Sequence, residues 1–265
     1  MSTFYSDPKI SRAEAEENEA DLRHHIENIR VTFPKAGYRM LLNYLRRDDF
    51  EISEYKLRKT MQKFKLHIKR RKKYIRTTNS NHGFPIYPNL IKDLEIKRLN
   101  QVWVSDITYI RIANGFVYLA VVIDLFSRKV VGWEISKKID GELVLSATKM
   151  AFESRGNPKN IIHHSDRGVQ YLCDKHVSYL KKNKFKISCA AKGNPYENAF
   201  AESFMKTLKN DQVDLFKFAT ILDVIENVPN FIEEVYNKKR LHSSLNYLTP
   251  EEFEAKCIKK NRVKS

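Results

Sequence analysis

The sequence predicts an α/β protein, a mixed five-stranded sheet with flanking helices, preceded by a small all-helical region. Three observations carry this reading. Apolar residues recur at helical spacing through residues 15–75; from Val102 the pattern changes to runs of β-branched and aromatic residues; beyond that, strand-like and helix-like segments alternate.

In the helical region the repeating positions fall into three groups: Leu22, Ile26 and Ile29; Tyr38, Leu41, Leu42 and Leu45; Leu57, Met61 and Phe64. Pro34 and Gly37 punctuate the first join, and Ser53 stands where an N-cap would open the third helix. This is the outline of a helix-turn-helix. On the third helix Lys56, Lys59 and Lys63 fall on one face, away from the apolar positions, and KLHIKRRKKYIR follows, bringing Arg70 and Arg71. The face suits DNA, and the alternative is a solvated basic surface. The chain divides into a helical, helix-turn-helix-like region (1–75), a linker (76–100) rich in Asn, Gly and Pro, a core (101–212) and a C-terminal helical extension packing on that core (213–265).

In the core, WVSDITYIR, GFVYLAVVID and KVVGWEI are separated by short turn segments and read as an antiparallel meander. A helix follows over 141–154, with Asp140 as cap and Leu143, Ala147, Met150 and Ala151 inward. Ile161 and Ile162 lead a buried strand that ends at Asp166; a helix carrying Cys173, Val177 and Leu180 inward follows, then the strand FKISCAA. The last core helix opens at Asn194, with Pro195 at its first position and Glu197 completing a capping box. Phe200, Phe204 and Leu208 form its apolar stripe, and Asn198, Glu202, Lys206 and Lys209 its polar face.

Lys and Arg number 48 against 32 Asp and Glu, a net charge of +16, which points to a polyanionic partner. No apolar run approaches the ~20 residues of a spanning helix, so no membrane role is expected. The opening MSTFYSDPKISRAEAEENEAD is polar, unlike a secretory signal, which suggests the cytoplasm. Cys173, Cys189 and Cys257 make no zinc pattern and read as buried apolar thiols.

Three carboxylates stand out by position. Asp106 lies inside an apolar strand, where a charge needs compensation. Asp166 closes a second strand, and Glu202 sits on a helix face separate from the core stripe. Brought together they would repel, and a pair of divalent cations, Mg2+ or Mn2+, turns that repulsion into binding by hard oxygen ligands. Two such ions ~3.5–4 Å apart suit in-line phosphodiester chemistry, with water giving cleavage and a 3′-OH giving strand transfer. His163 and His164 read as structural, Asp124 as a turn residue, Trp103 and Trp133 as core, and Arg167 as a residue able to approach a phosphate. For Arg240 and His242, docking of the last helix and a role in holding DNA or a partner subunit stand level.

Thirty-five residues separate Asp166 from Glu202, the spacing of retroviral-integrase-like Asp-Asp-Glu enzymes. WVSDITYI, GFVYLAVVIDLFSRKVVGWEIS, HHSDRGVQY, GNPYENAFAESFMKTLK and YNKKRLHSSLNYLTPEEF resemble, in order, segments of bacterial insertion-sequence transposases of the large IS-three family, over about Tyr38 to Phe253. The resemblance implies an RNase H-like integrase catalytic core, Asp106, Asp166 and Glu202 as catalytic metal ligands, and Lys209 in contact with transposon-end DNA. Many relatives carry Asp where this chain has Glu197, which keeps the charge and the cap. The chain is similar to a downstream-frame product, whose partners would be terminal inverted repeats and target DNA, further copies of itself, and an upstream-frame helix-turn-helix and leucine-zipper protein or fusion. The expected setting is the bacterial nucleoid, with a copy-out step through a circular DNA intermediate. The expectation is a DNA transposase; the alternatives are a purely hydrolytic nuclease of the same superfamily and a non-catalytic DNA-binding regulator.

Overall fold

The computed structural model describes residues 11–68, 84–191 and 199–262, which fall into two compact units, Met1–Lys73 and Tyr74–Ser265.

The first unit holds three helices, α1 (Arg12–Thr32), α2 (Tyr38–Arg47) and α3 (Glu54–Lys63). Ser11 and Glu14 close a capping box on α1, and the Ser53 hydroxyl accepts from the Lys56 N–H at 3.2 Å, the expected cap on α3. Leu22, Ile26, Leu41, Leu42, Leu45, Leu57 and Met61 are buried, as their spacing predicts, whereas Ile29, Tyr38 and Phe64 are half-buried. Burying side chains of this size contributes roughly 1.5–3 kcal/mol each, enough to fix three helices that are individually marginal. Lys56, Lys59 and Lys63 are exposed on α3; Lys63 pairs with Glu19 of α1. Arg70 and Arg71 lie outside the described residues.

The second unit is built on a sheet of order β3-β2-β1-β4-β5. β1 (Val102–Ile112), β2 (Gly115–Asp124) and β3 (Val130–Ser136) form the antiparallel meander, and β4 (Ile162–Ser165) and β5 (Lys186–Cys189) run parallel to β1. β1 is therefore central and paired on both sides. Its alternation sorts two cores. Val102, Val104 and Ile110 pack with α7 (Ala199–Leu208) and the C-terminal helices; Trp103 packs on the other face with α4 (Gly141–Ser154) and the helices after β4.

Asp140 caps α4 as predicted, its Oδ1 accepting from Glu142 and Leu143 N–H at 3.1 Å. The helix after β4 differs from the single one expected. It is two, α5 (Val169–Leu172) and α6 (Asp174–Lys182), broken at Cys173, whose ψ of 148° is extended. Leu180 is buried, Cys173 and Val177 are only half-buried, and His176 fills the core instead. All three thiols are free; Cys189 alone is buried, and Cys257 is half-buried like Cys173. The predicted start of α7 at Asn194 lies outside the described residues. Phe200, expected in the core, is 44% exposed and stacks on the Arg128 guanidinium instead.

Residues 84–101 carry no strand or helix, yet they are strapped to the sheet. Leu90 N–H donates to Ser188 Oγ, Cys189 N–H donates to Pro88 O, and Ile91 and Ile96 pack on the core. α7 runs on through a π-helical turn, Lys209–Val213, into α8 (Asp214–Phe216). α9 (Ile221–Asn230) contains Pro229, whose missing N–H interrupts the helical ladder, and widens directly afterwards into a second π turn, Phe231–Asn237. There the Asn237 amide bonds both the N–H and the carbonyl of Val130 at 3.0 Å, so a side chain occupies the open edge of β3.

α10 (Pro250–Arg262) is locked to the core through Arg155, which bridges Glu254 at 2.7 Å and reaches the buried Asp124 at 3.5 Å. Asp124 also accepts from Asn100, Phe126 and Ser127 N–H groups, a turn residue as expected. Arg240 pairs with the buried Asp211 of the first π turn, a contact that holds the two segments together. Among the described residues no helix is long and apolar enough to cross a membrane.

α4 meets β3 at Gly132, where a Cβ would stand 2.3 Å from Ala147 O and 2.6 Å from Ala151 N. Backbone cannot yield there. Gly132→Ala is expected to lower stability by about 1–3 kcal/mol, read as a drop of roughly 2–4 °C in Tm per kcal/mol.

Candidate active site

Asp106 sits in β1 opposite Val121 of β2. Strand alternation puts it on the face that Val102, Val104 and Ile110 bury against α7, but two residues beyond the last β1–β4 pair, Val104 with His164. The sheet opens there, and Asp106 is half-buried at the gap. Its Oδ1 accepts from the adjacent Ile107 N–H, at 2.9 Å. Burial raises its pKa most, the Asp166 and Glu202 carboxylates raise it further, and the carboxyl is pushed up to about 8 against the pull of the Ile107 N–H and Lys209.

Asp166 follows the last residue of β4. Its Oδ1 accepts from Gly168 N–H at 3.0 Å, a tight turn that fixes the carboxylate where β4 leaves the sheet. Glu202 is exposed on α7, whose Ala201, Phe204, Met205 and Leu208 are buried. Burial raises its pKa. Among the described residues no three His, Cys, Asp or Glu side chains close on a single point as a ligand shell. The three acids are neighbours in charge: two aspartates at the sheet opening, and a glutamate on the helix covering that face.

Seven residues beyond Glu202, at the start of the π turn, Lys209 turns back toward this opening. Its Nζ lies 4.5 Å from the centre of the Tyr109 ring, and it is drawn toward the charges of Asp106 and Asp214, while its own burial lowers its pKa. Lys206 is exposed on α7. Arg167, beside Asp166, spends its Nε–H on Ala190 O at 2.9 Å, which ties the turn to the chain leaving β5.

The two histidines before Asp166 point to opposite faces, and both are structural. His163 bonds Ser105 Oγ at 2.9 Å and His164 bonds Ser188 Oγ at 2.8 Å. Burial, with His176 and His164 nearby, holds His163 well below its usual pKa and so neutral. Trp103 is wholly buried; Trp133 is half-buried, with its indole N–H donating to Glu233 at 3.0 Å.

Two residues that feel these charges escape sequence reasoning. Tyr109 looks like an ordinary strand aromatic, and nothing in the sequence marks it as the ring beside Lys209. Tyr171 is 3% exposed in the core with Trp103, and burial with the charges of Asp106 and Asp166 raises its pKa. It is part of HHSDRGVQY, but a tyrosine in an apolar turn reads as core.

Each of the three acids offers oxygen ligands, and a divalent cation would reverse the repulsion between such carboxylates. The chain as a whole is similar to known proteins. Residues 97–195 fit one family model described as "Integrase core domain", and residues 183–250 a second with the same description. A 31 kDa protein of insertion element IS600 from Shigella sonnei is 34% identical over 83% of this chain and 81% of its own length. The transposase InsF for insertion sequence IS3A of Escherichia coli (strain K12) is 36% identical over 84% of this chain and 78% of its own. A chain of the simian T-cell lymphotropic virus intasome, solved in complex with PP2A regulatory subunit B56 gamma, is 16% identical, covering 85% of this chain and 73% of that one, with a TM-score of 0.49. With identity at this level across most of both partners, the chain belongs to the IS3 family of insertion-sequence transposases, proteins of DNA transposition built on an integrase core.

Proposed function

We propose that Asp106, Asp166 and Glu202 are the catalytic triad, holding two Mg2+ or Mn2+ ions, and that the protein cuts at transposon ends and joins the freed 3′-OH to a phosphodiester. The observation that carries this reading is the state of Asp106. Half-buried and facing two other acids, its carboxyl is pushed up to about 8, a position that favours the anion only when positive charge arrives. Bound there, the two cations would activate the attacking hydroxyl and stabilise the leaving oxygen of an in-line displacement.

The chain's own residues do the rest. Gly168 N–H fixes the Asp166 carboxylate in one orientation, and β1, paired on both sides, fixes Asp106. Lys209, braced on Tyr109, brings a cation to the mouth of the opening, where it would meet a DNA phosphate. Lys206 extends that charge along α7, and Arg167 stands beside Asp166. In the first unit, read as the helix-turn-helix-like domain of residues 1–75, Lys56, Lys59 and Lys63 on α3, followed by Arg70 and Arg71, supply the phosphate contacts for double-stranded end DNA. Such a protein would act on the DNA of a bacterial cytoplasm, as several copies bridging two ends.

The raised pKa has a sign. An unfolded Asp titrates at ~3.9, so between about pH 4 and 8 the folded metal-free protein holds a proton that the unfolded chain releases. This contribution to stability is complete below pH 4 and is lost as pH rises through 8. Asp106→Asn is expected to flatten that loss and to raise the Tm of the cation-free protein at pH 8 by several degrees, while removing activity. A mutant whose Tm follows the wild-type pH curve would show that Asp106 is ionised at no cost.

The function is tested with a pre-cleaved end carrying a free 3′-OH, target DNA and Mg2+. Wild type is expected to give joined product. Asp166→Asn is expected to lose both cleavage and joining, by at least ~1000-fold, while binding end DNA within about threefold of wild type. Cleavage without joining by wild type would favour a hydrolytic nuclease, and joining that survives in Asp166→Asn would sink the triad.

A further inference from the structure

Arg128, in the turn between β2 and β3, has no part in the reaction as described and is held at a cost. Its φ of 64° lies in the left-handed region, which a residue with a side chain enters under strain. Its side chain is half-buried, and Nε and Nη1 are shut away with no hydrogen-bond partner among the described residues. The charge of Asp124 reaches it, but that carboxylate is taken up by the Asn100, Phe126 and Ser127 N–H groups and by Arg155. Strain and desolvation seldom meet in one side chain unless something repays them.

The same side chain lines a cavity of about 240 Å3 with Leu125, Phe126, Phe200, Leu245 and Phe253. Its guanidinium carbon lies 3.7 Å from the centre of the Phe200 ring, and Phe126 and Phe253 meet edge to face at 5.2 Å. A volume below the ~300–1,000 Å3 that holds a drug-sized ligand admits a single ring, not a helix or a duplex. Phe200 stands two residues before Glu202 on α7, and Lys209 over Tyr109 follows the end of that helix. Cations backed by aromatic rings thus stand on either side of the acid along this run of chain.

We infer that this cavity takes one unpaired nucleotide of DNA, its base against the phenylalanines and its phosphate on Arg128. Aromatic faces suit any base, and a guanidinium presents paired N–H donors to a phosphate. Phe200, exposed in the first turn of α7, would swing from the guanidinium onto the base and uncover the N–H groups for the phosphate. A nucleotide brings ring and anion joined, whereas an aromatic side chain of a peptide would fill the cavity and leave the guanidinium without an anion. The net charge of +16 favours the same occupant. The inference goes beyond the triad reading and needs no metal ion.

The test uses the full chain in EDTA and an oligothymidylate of about twelve nucleotides, enough for one ~4–16-nucleotide site, with one thymine replaced by 5-iodouracil. Irradiation is expected to join that base to Phe126, Phe200 or Phe253. Phe200→Ala and Arg128→Gly should each weaken binding of the single strand about 5–150-fold, and of a duplex of equal length less than about threefold. Arg128→Gly should melt no lower than wild type, since glycine accepts the left-handed backbone and Nε and Nη1 bond nothing. A lower Tm with single-strand affinity unchanged is the mark of a structural arginine and overturns the inference. Equal losses for the duplex would mean a general phosphate contact, and lost self-association with the single strand still bound would mean a protein occupant; either overturns it as well. Because no divalent cation is present, a failure here leaves the triad reading standing, and Asp166→Asn should bind the single strand as wild type does.

Discussion

The structure turns on a conflict between strand pairing and charge at Asp106. β1 is central, with β2 and β3 on its antiparallel side and β4 and β5 on its parallel side, and a central strand is dehydrated along most of its length. An acid placed there is costly unless the sheet opens beside it or a positive charge meets it. Both occur: β4 stops pairing with β1 at Val104, and Lys209 reaches in from the helix above. Shortness of β4 and β5, four residues each, is what leaves the opening, and Asp166 stands at its lip because β4 ends there.

That opening has to be held rigidly by elements remote from it. α7 is pinned by Ala201, Phe204, Met205 and Leu208, while its continuation is fixed by the Arg240–Asp211 pair. Asn237 closes the edge of β3, and Arg155 joins α10 to Asp124 at the end of β2. Buried ion pairs of this kind add little net stability, but removing one partner leaves a desolvated charge, so they enforce one arrangement over its alternatives. In the YNKKRLHSSL segment Asn237 holds the edge of β3 and Arg240 holds the first π turn.

Much of this was legible in the sequence because the strong signals are local. Three β-branched runs split by short turns gave the meander, Asp140 and Ser53 gave caps, and Asp106 was conspicuous as a charge in an apolar strand. The misses have physical reasons too. Periodicity could not see the break at Cys173, since both short helices keep their apolar positions in phase. Phe200 belonged to the stripe by spacing, yet Arg128 from the β2–β3 turn draws it outward. Residues 84–101, with Pro and Asn in abundance, lacked any repeating pattern, although hydrogen bonds to β5 and two isoleucines hold part of them to the sheet.

The central claim is that the carboxylates store repulsion which a divalent cation relieves. Proton release measures this directly. With Asp106 titrating at about 8, most molecules carry its proton at pH 7, and an ion that takes the carboxylate must expel it. Mn2+ titrations at pH 7 in buffers of differing ionisation enthalpy are expected to report about one proton released per site, falling toward zero above pH 9. Binding at pH 7 with no proton release would contradict the account, since Asp106 would then already be an anion at ease in its strand.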